Sequence, residues 1–299
     1  MMYTDLALEA AELRARELPP QGKLDGVVSR HESRGGFEVD FVEIINEEGE
    51  KTLEKPKGKY ITLDILPAVR RQEDAFVQAC SLVAEYLRPL LPPQGKSCTL
   101  VAGLGNRAIT PDAVGPDCAR DIMVTRHVVE RMPEYFGSFR PVAAVAPGVL
   151  GTTGIETAEF LRGLVRDIAP DVVIVVDALM SRRMSRLCST VQITDTGVAP
   201  GSGLGGNSVK IDERYLGVPV LALGVPTIID SATLAIDTMY EAGLEGFDEE
   251  KIRAAGQGFI VTPKEIDRMS AESAKILAYG INLALQDGIG IEDIEAFIR

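Results

Sequence analysis

Apolar residues in the first stretch of the chain recur at helical spacing, with Leu6, Ala10 and Leu13 on one side of residues 4–17. Thr4 stands where a cap is expected, Asp5 and Glu9 fall in the first turns, and Pro19 and Pro20 end the helix. From Gly26 to Leu66 the period shortens to that of strands. The runs VVSRH, GFEVDFVEII and KYITLDI, broken at Arg34-Gly35-Gly36 and Glu48-Gly49, predict an antiparallel meander over residues 24–66. A long helix is predicted from Arg71 to Leu91, with Phe76, Cys80, Leu82 and Val83 toward the core and Pro92 and Pro93 closing it.

Beyond Gln94 strand and helix patterns alternate, which is the signature of a layered α/β sheet. Strands are predicted at 98–102, 142–145, 172–176, 191–193 and 218–223, and helices at 113–131, 156–168, 228–242 and 263–285. Val172 to Val176 is apolar at every position, as in a central strand covered on both faces. The fold class is α/β: three layers, α/β/α, around a mixed, mainly parallel sheet over 97–243, with an N-terminal antiparallel β-rich portion and C-terminal helices over 259–299. No internal repeat or low-complexity segment interrupts it.

Composition narrows the function classes. At 299 residues, 45% hydrophobic and 25% charged, the chain is globular and long enough to bury a sizeable core. Its 31 basic and 44 acidic residues give a formal charge of -13, which repels both a phosphate backbone and an anionic membrane surface and suits basic protein partners. No direct nucleic-acid binding and no membrane association are expected. Cys80, Cys98, Cys118 and Cys188 contain no Cys-x-x-Cys pair, and the charged N-terminus has no apolar signal core, so a reducing compartment is predicted.

Nucleophile chemistry finds little material. There is no Gly-x-Ser-x-Gly elbow and no Ser-x-x-Lys. The two histidines are His31 and His127, and Cys118 and His127, nine residues apart on one predicted helix, face opposite ways. Zinc-type motifs are likewise missing, which leaves a carboxylate-only site as the open metal reading. Gly201-Ser202-Gly203-Leu204-Gly205-Gly206 spells Gly-x-Gly-x-x-Gly but sits between Pro200 and Asn207-Ser208 with no helix to open, which reads as an active-site loop, not a dinucleotide site. Asp112, after the first sheet strand and Gly103-Leu104-Gly105-Asn106, and Asp177, ending the apolar strand, are both expected at strand carboxyl ends, where α/β sheets bind ligands. Two such carboxylates can share a proton and activate water. The alternative is structural: Asp177 caps a following Ala178-Leu179 helix, and Asp112, with Thr110 as cap and Pro111 first in the helix, complements a helix dipole. Asp195 and Asp230 are lesser candidates, for which the structural reading is preferred.

The strings Tyr3 to Ala10, Gly103 to Asn106 through Thr110 to Pro116, Pro147 to Thr157, Val176 to Leu179, Gln192 to Gly197, Pro200 to Gly203 and Gly224 to Thr227 resemble, in order, the germination proteases of spore-forming bacteria. The resemblance implies an endopeptidase that degrades small acid-soluble spore proteins in the cytoplasm of the spore core, made as a self-processing zymogen and assembled as a homotetramer. The family is an atypical aspartic peptidase class, and its two proposed catalytic aspartates fall on Asp112 and Asp177. Gly103, Gly105, Asn106, Gly201, Ser202 and Gly203 then belong to active-site loops. Asp5-Leu6-Ala7 resembles the acidic, apolar, alanine sequence at which the family cuts, so residues 1–5 are expected to be a short prosegment released between Asp5 and Leu6, leaving one catalytic domain over 6–299.

The fold this implies is that of the hydrogenase maturation peptidases, which add a histidine metal ligand with no good counterpart here; no cofactor and no metal are therefore expected. The chain departs from the family in its short leading segment and its short 241–258 region. The alternatives are a metal-dependent maturation peptidase of the same fold and a non-catalytic module that binds basic spore proteins.

Overall fold

A computed structural model describes residues 4–19, 22–93, 97–201, 208–244, 246–256 and 258–298. Its frame is a sheet of nine strands: β1 (Val27–Arg34), β2 (Phe37–Ile44), β3 (Gly58–Asp64), β4 (Thr99–Gly103), β5 (Val142–Val145), β6 (Val172–Met180), β7 (Thr190–Thr194), β8 (Val220–Asp230) and β9 (Ile260–Val261). The spatial order is β1-β2-β3-β7-β8-β6-β4-β5, with β9 against β8. Pairing is parallel across β5-β4-β6-β8 and antiparallel elsewhere. The meander is thus one wing of the sheet, joined through β3 and β7.

Helices cover both faces. One face packs against the helices Ala75–Leu87, Val114–Arg120 and Ile266–Leu285, burying Ile174, Val176, Ile193, Leu223 and Val225. The other is covered in two separate patches. The helix Thr157–Ile168 lies over Val173, Val175 and Ala222 at one end, and the helix Ala7–Arg16 lies over Val42, Ile44 and Tyr60 at the other. Between them no helix among the described residues covers the central strands.

Several boundaries differ from the sequence reading for tertiary reasons. The first helix begins at Ala7, not at residue 4, because Thr4 does not cap it and Asp5 is drawn to the sheet edge by Met180. The 71–91 helix spans Ala75–Leu87, with left-handed Arg71 and Asp74 before it. The expected 113–131 helix breaks after Arg120: Met123 N–H donates to the Asn282 side chain, and the Thr125 hydroxyl bridges Arg140 and Val142 at the sheet edge. The expected helix at 228–242 starts at Ser231, capped by Asp230, because β8 runs on for seven residues past Leu223. No helix among the described residues is long and apolar enough to cross a membrane, and their cysteines are all unpaired.

Candidate active site

The uncovered part of the sheet floors a cleft of about 740 Å³ lined by Asp5, Lys55, Tyr60, Asp112, Asp177 and Gln192, among others. The location follows from topology. β5 leaves β4 on one side and β6 returns on the other, so the connections part beyond the carboxyl ends of β4 and β6 and open a crevice there.

Asp112 is placed by the turn after β4. A Cβ on Gly103 would stand 2.0 Å from the carbonyl oxygen of Gly115, so the bare backbone is what lets the Val114–Arg120 helix press onto the strand. Gly105 has φ +114°, and a Cβ there would meet the Asp112 carbonyl at 2.2 Å and its Oδ1 at 2.8 Å. Thr110–Asp112 form a single 3-10 turn preceded by Ile109, without the Thr110 cap expected from sequence. The turn is pinned instead by the Thr227 hydroxyl, which donates to the Pro111 carbonyl at 2.7 Å. The Asn106 amide N–H donates to Asp112 Oδ2 at 2.7 Å. Asn106 itself faces an adjoining pocket with Arg107 and Arg120.

Asp177 is not the end of a strand, and no Ala178-Leu179 helix follows it. β6 continues to Met180, paired with β8 on one side, because Val225 and Pro226 extend the partner strand beside it. Asp177 is 6% exposed, and its Oδ1 accepts the Ala178 N–H at 2.9 Å. Burial, together with the Asp112 and Asp5 carboxylates, holds its proton affinity well above the usual carboxylate range. Burial also raises Asp112, offset by the Asn106 N–H. Lys55, in the wall, has its proton affinity lowered by burial against the charges of Asp5, Glu9 and Glu54, and its Nζ donates to the Thr4 carbonyl at 3.2 Å.

Of residues 4–7, Asp5 lines this cleft. Asp5 N–H donates to the Met180 carbonyl at 2.9 Å, and Met180 N–H returns a bond to Asp5 Oδ2 at 2.8 Å. Leu6 is extended and fully buried. Glu9, 1% exposed, anchors the segment by accepting from Thr4 Oγ1 and from the amides of Arg182 and Arg183 and pairing with Arg186.

The structure therefore brings Asp5, Gly105, Asp112, Asp177 and Gly201 to one cleft, while Ser202 and Gly203 lie outside the described residues. Among the described residues no histidine or cysteine lines it. His31 is on the outer strand β1 between Glu38 and Asp40, and His127 is exposed on the helix Arg126–Arg131. Burial drives the Cys118 thiol upward, away from reactivity. Asp195 accepts the Lys59 amide N–H, and Asp230 accepts the Thr233 N–H and caps a helix.

A family model described as germination protease matches residues 7–247. The chain belongs to the germination protease family. It is 42% identical to the germination protease of Caldanaerobacter subterraneus subsp. tengcongensis, over 99% of this chain and 98% of that one. Against the germination protease of Clostridium perfringens strain SM101 the identity is 41% at the same coverage. Against that of Priestia megaterium it is 33%, over 98% and 96%. Membership in the germination protease family makes the chain a peptidase acting on protein. A solved NiFe hydrogenase maturation protease from Thermococcus kodakarensis overlies 62% of this chain and 94% of its own at 19% identity, with a TM-score of 0.33, too slight a likeness to support an argument.

Sequence reasoning missed Lys55, Tyr60 and Gln192 as cleft residues. Gln192 carried a faint signal, as a long polar side chain in the middle of the short strand β7, all five residues of which are buried.

Proposed function

We propose that this germination protease is an endopeptidase that begins the breakdown of small acid-soluble spore proteins at germination in the spore core, using Asp112 and Asp177 as an acid–base pair on water. The observation that carries the reading is the shared cleft: one carboxylate from the turn after β4 and one from the adjacent parallel strand β6, with burial and the charge of Asp112 raising the proton affinity of Asp177. Asp177, the more buried, keeps the proton. Asp112, whose ionised form is supported by the Asn106 N–H, accepts a proton from water.

The chain is made as a zymogen that cuts itself between Asp5 and Leu6 and works as a homotetramer. Support for self-cleavage is that Asp5 lines the same cleft and that the Asp5–Leu6 bond lies in extended chain ahead of the helix, so the helix need not unwind.

Asp112→Asn and Asp177→Asn are each expected to retain the fold and lower cleavage of a purified small acid-soluble spore protein by roughly 10²-fold or more. Near-normal turnover in either variant removes that residue from the chemistry. Incubation of the full chain at mildly acidic pH should yield a new N-terminus at Leu6, absent in Asp112→Asn. A fully active enzyme still starting at Met1 would show that residues 1–5 are no prosegment.

A further inference from the structure

Gln192 lies in register with Gly224, and Gly224 in register with Asp177, so the three residues form a row across β7, β8 and β6 on one face of the sheet. Two strand spacings separate the outer pair, roughly 9–10 Å between their Cα atoms. The middle member has no side chain of its own, and the Leu179 side chain packs over it. The carboxamide of Gln192 and the carboxyl of Asp177 thus rise from the same face of the sheet, one on either side of β8.

The chain's own N-terminal segment is held there. Gln192 Nε2 donates to the carbonyl oxygen of Asp5 at 3.2 Å, and Gln192 Oε1 accepts the amide N–H of Ala7 at 2.8 Å. One carboxamide thus spans the Asp5–Leu6 bond, contacting the acyl oxygen on one side and the next amide on the other. Gln192 is 6% exposed. A buried primary amide costs free energy unless its groups are bonded, and here both its donor and its acceptor are used on this one segment.

We propose that Gln192 is a catalytic residue of this enzyme: it grips the bond to be cut, in self-processing and in substrate proteins, and stabilises the oxygen on which charge develops. The inference rests on the reading of Asp5–Leu6 as the processing site. The water oxygen adds to the Asp5 carbonyl carbon while Asp112 takes one water proton. The carbonyl electron pair moves onto oxygen, against Gln192 Nε2–H. Collapse restores the C=O bond and breaks the bond to the Leu6 nitrogen, which receives the Asp177 proton; transfer of the proton from Asp112 back to Asp177 resets the pair. A 3.2 Å contact to a neutral carbonyl shortens as that oxygen becomes anionic, so the donor contributes more in the transition state than in the ground state. The acceptor half of the same amide fixes the chain beyond the cut, which is a positioning effect.

Gln192→Glu, assayed at a pH where the new carboxyl is ionised, separates the two halves, since the carboxylate keeps the shape and accepts from Ala7 but cannot donate to Asp5. In the full-length protein, with a synthetic peptide containing Asp-Leu-Ala as probe, Gln192→Glu should lower kcat roughly 10²–10³-fold with KM within about threefold, and slow self-cleavage by a similar factor. Gln192→Met, which loses both contacts, should lower kcat as much and also raise KM. Wild-type kcat in Gln192→Glu, or an effect confined to KM, overturns the proposal. Asp112→Asn run beside them distinguishes the failures: if it is inactive while Gln192→Glu is normal, Gln192 alone is wrong, and if it is active, the dyad reading falls with it. Should both Gln192 variants fail to fold, a crystal structure of the unprocessed Asp177→Asn chain decides. A Gln192 amide within about 3.2 Å of the Asp5 carbonyl oxygen supports the role, and one turned away refutes it.

Discussion

Asp177 sits where an ionised carboxylate is least welcome, buried and facing Asp112 and Asp5. Its folded proton affinity exceeds the unfolded one, so between the unfolded value near pH 3.9 and the raised folded value the native state binds more protons and stability falls as pH rises. Asp112 acts in the same direction. Asp177→Asn should therefore raise the melting temperature at pH 7, by roughly 2–5 °C, with the gain fading below about pH 4. Thermal melts of both proteins across that range check it, and a constant difference at every pH would contradict it. Gly105 is a second test at this scale. With φ +114° and a Cβ position crowding Asp112, Gly105→Ala should displace the carboxylate and lower activity at least about tenfold, beyond any loss of folded protein, because a misplacement of about 1 Å is enough to do so.

At the scale of elements, the first helix is fastened to the sheet through Glu9. This buried carboxylate ties Thr4, the Arg182 and Arg183 amides and the Arg186 guanidinium together. Glu9→Ala leaves those amides without their acceptor and Arg186 with Glu12 as its remaining acidic partner. Denaturant unfolding should show a loss of about 2–4 kcal/mol. The Glu12→Ala variant, whose carboxylate is partly exposed, should lose about 1 kcal/mol or less. Equal losses would place the anchor elsewhere.

For the whole molecule, the distribution of donors matters. No group of three or more His, Cys, Asp or Glu side chains among the described residues is arranged to hold a metal ion. Metal-independent turnover is accordingly proposed: exhaustive chelation should leave cleavage of the spore protein unchanged, and elemental analysis should find no stoichiometric zinc or nickel. Activity restored only by added metal would assign the chain to metal-dependent chemistry. Sedimentation should give a particle four times the 32.2 kDa chain; a monomer with full activity would end the tetramer proposal.

The sequence by itself determined what depends on local pattern. The meander, the apolar strand at 172–176 and the long helix near the C-terminus follow from periods of two and 3.6 residues and from turn chemistry at Gly35-Gly36. That Asp112 and Asp177 would share a cleft was legible because adjacent parallel strands run toward the same edge of such a sheet; their catalytic role is the proposal. Tertiary structure decided the rest. Whether β6 stops at Asp177 depends on a partner strand encoded some 45 residues later, and whether a helix starts at residue 4 or at Ala7 depends on Met180 and Gln192 competing for its first amides. Gln192 acquires its position from register with Gly224 and its partners from a segment 185 and 187 residues away in the chain, a relation that no spacing along the sequence encodes.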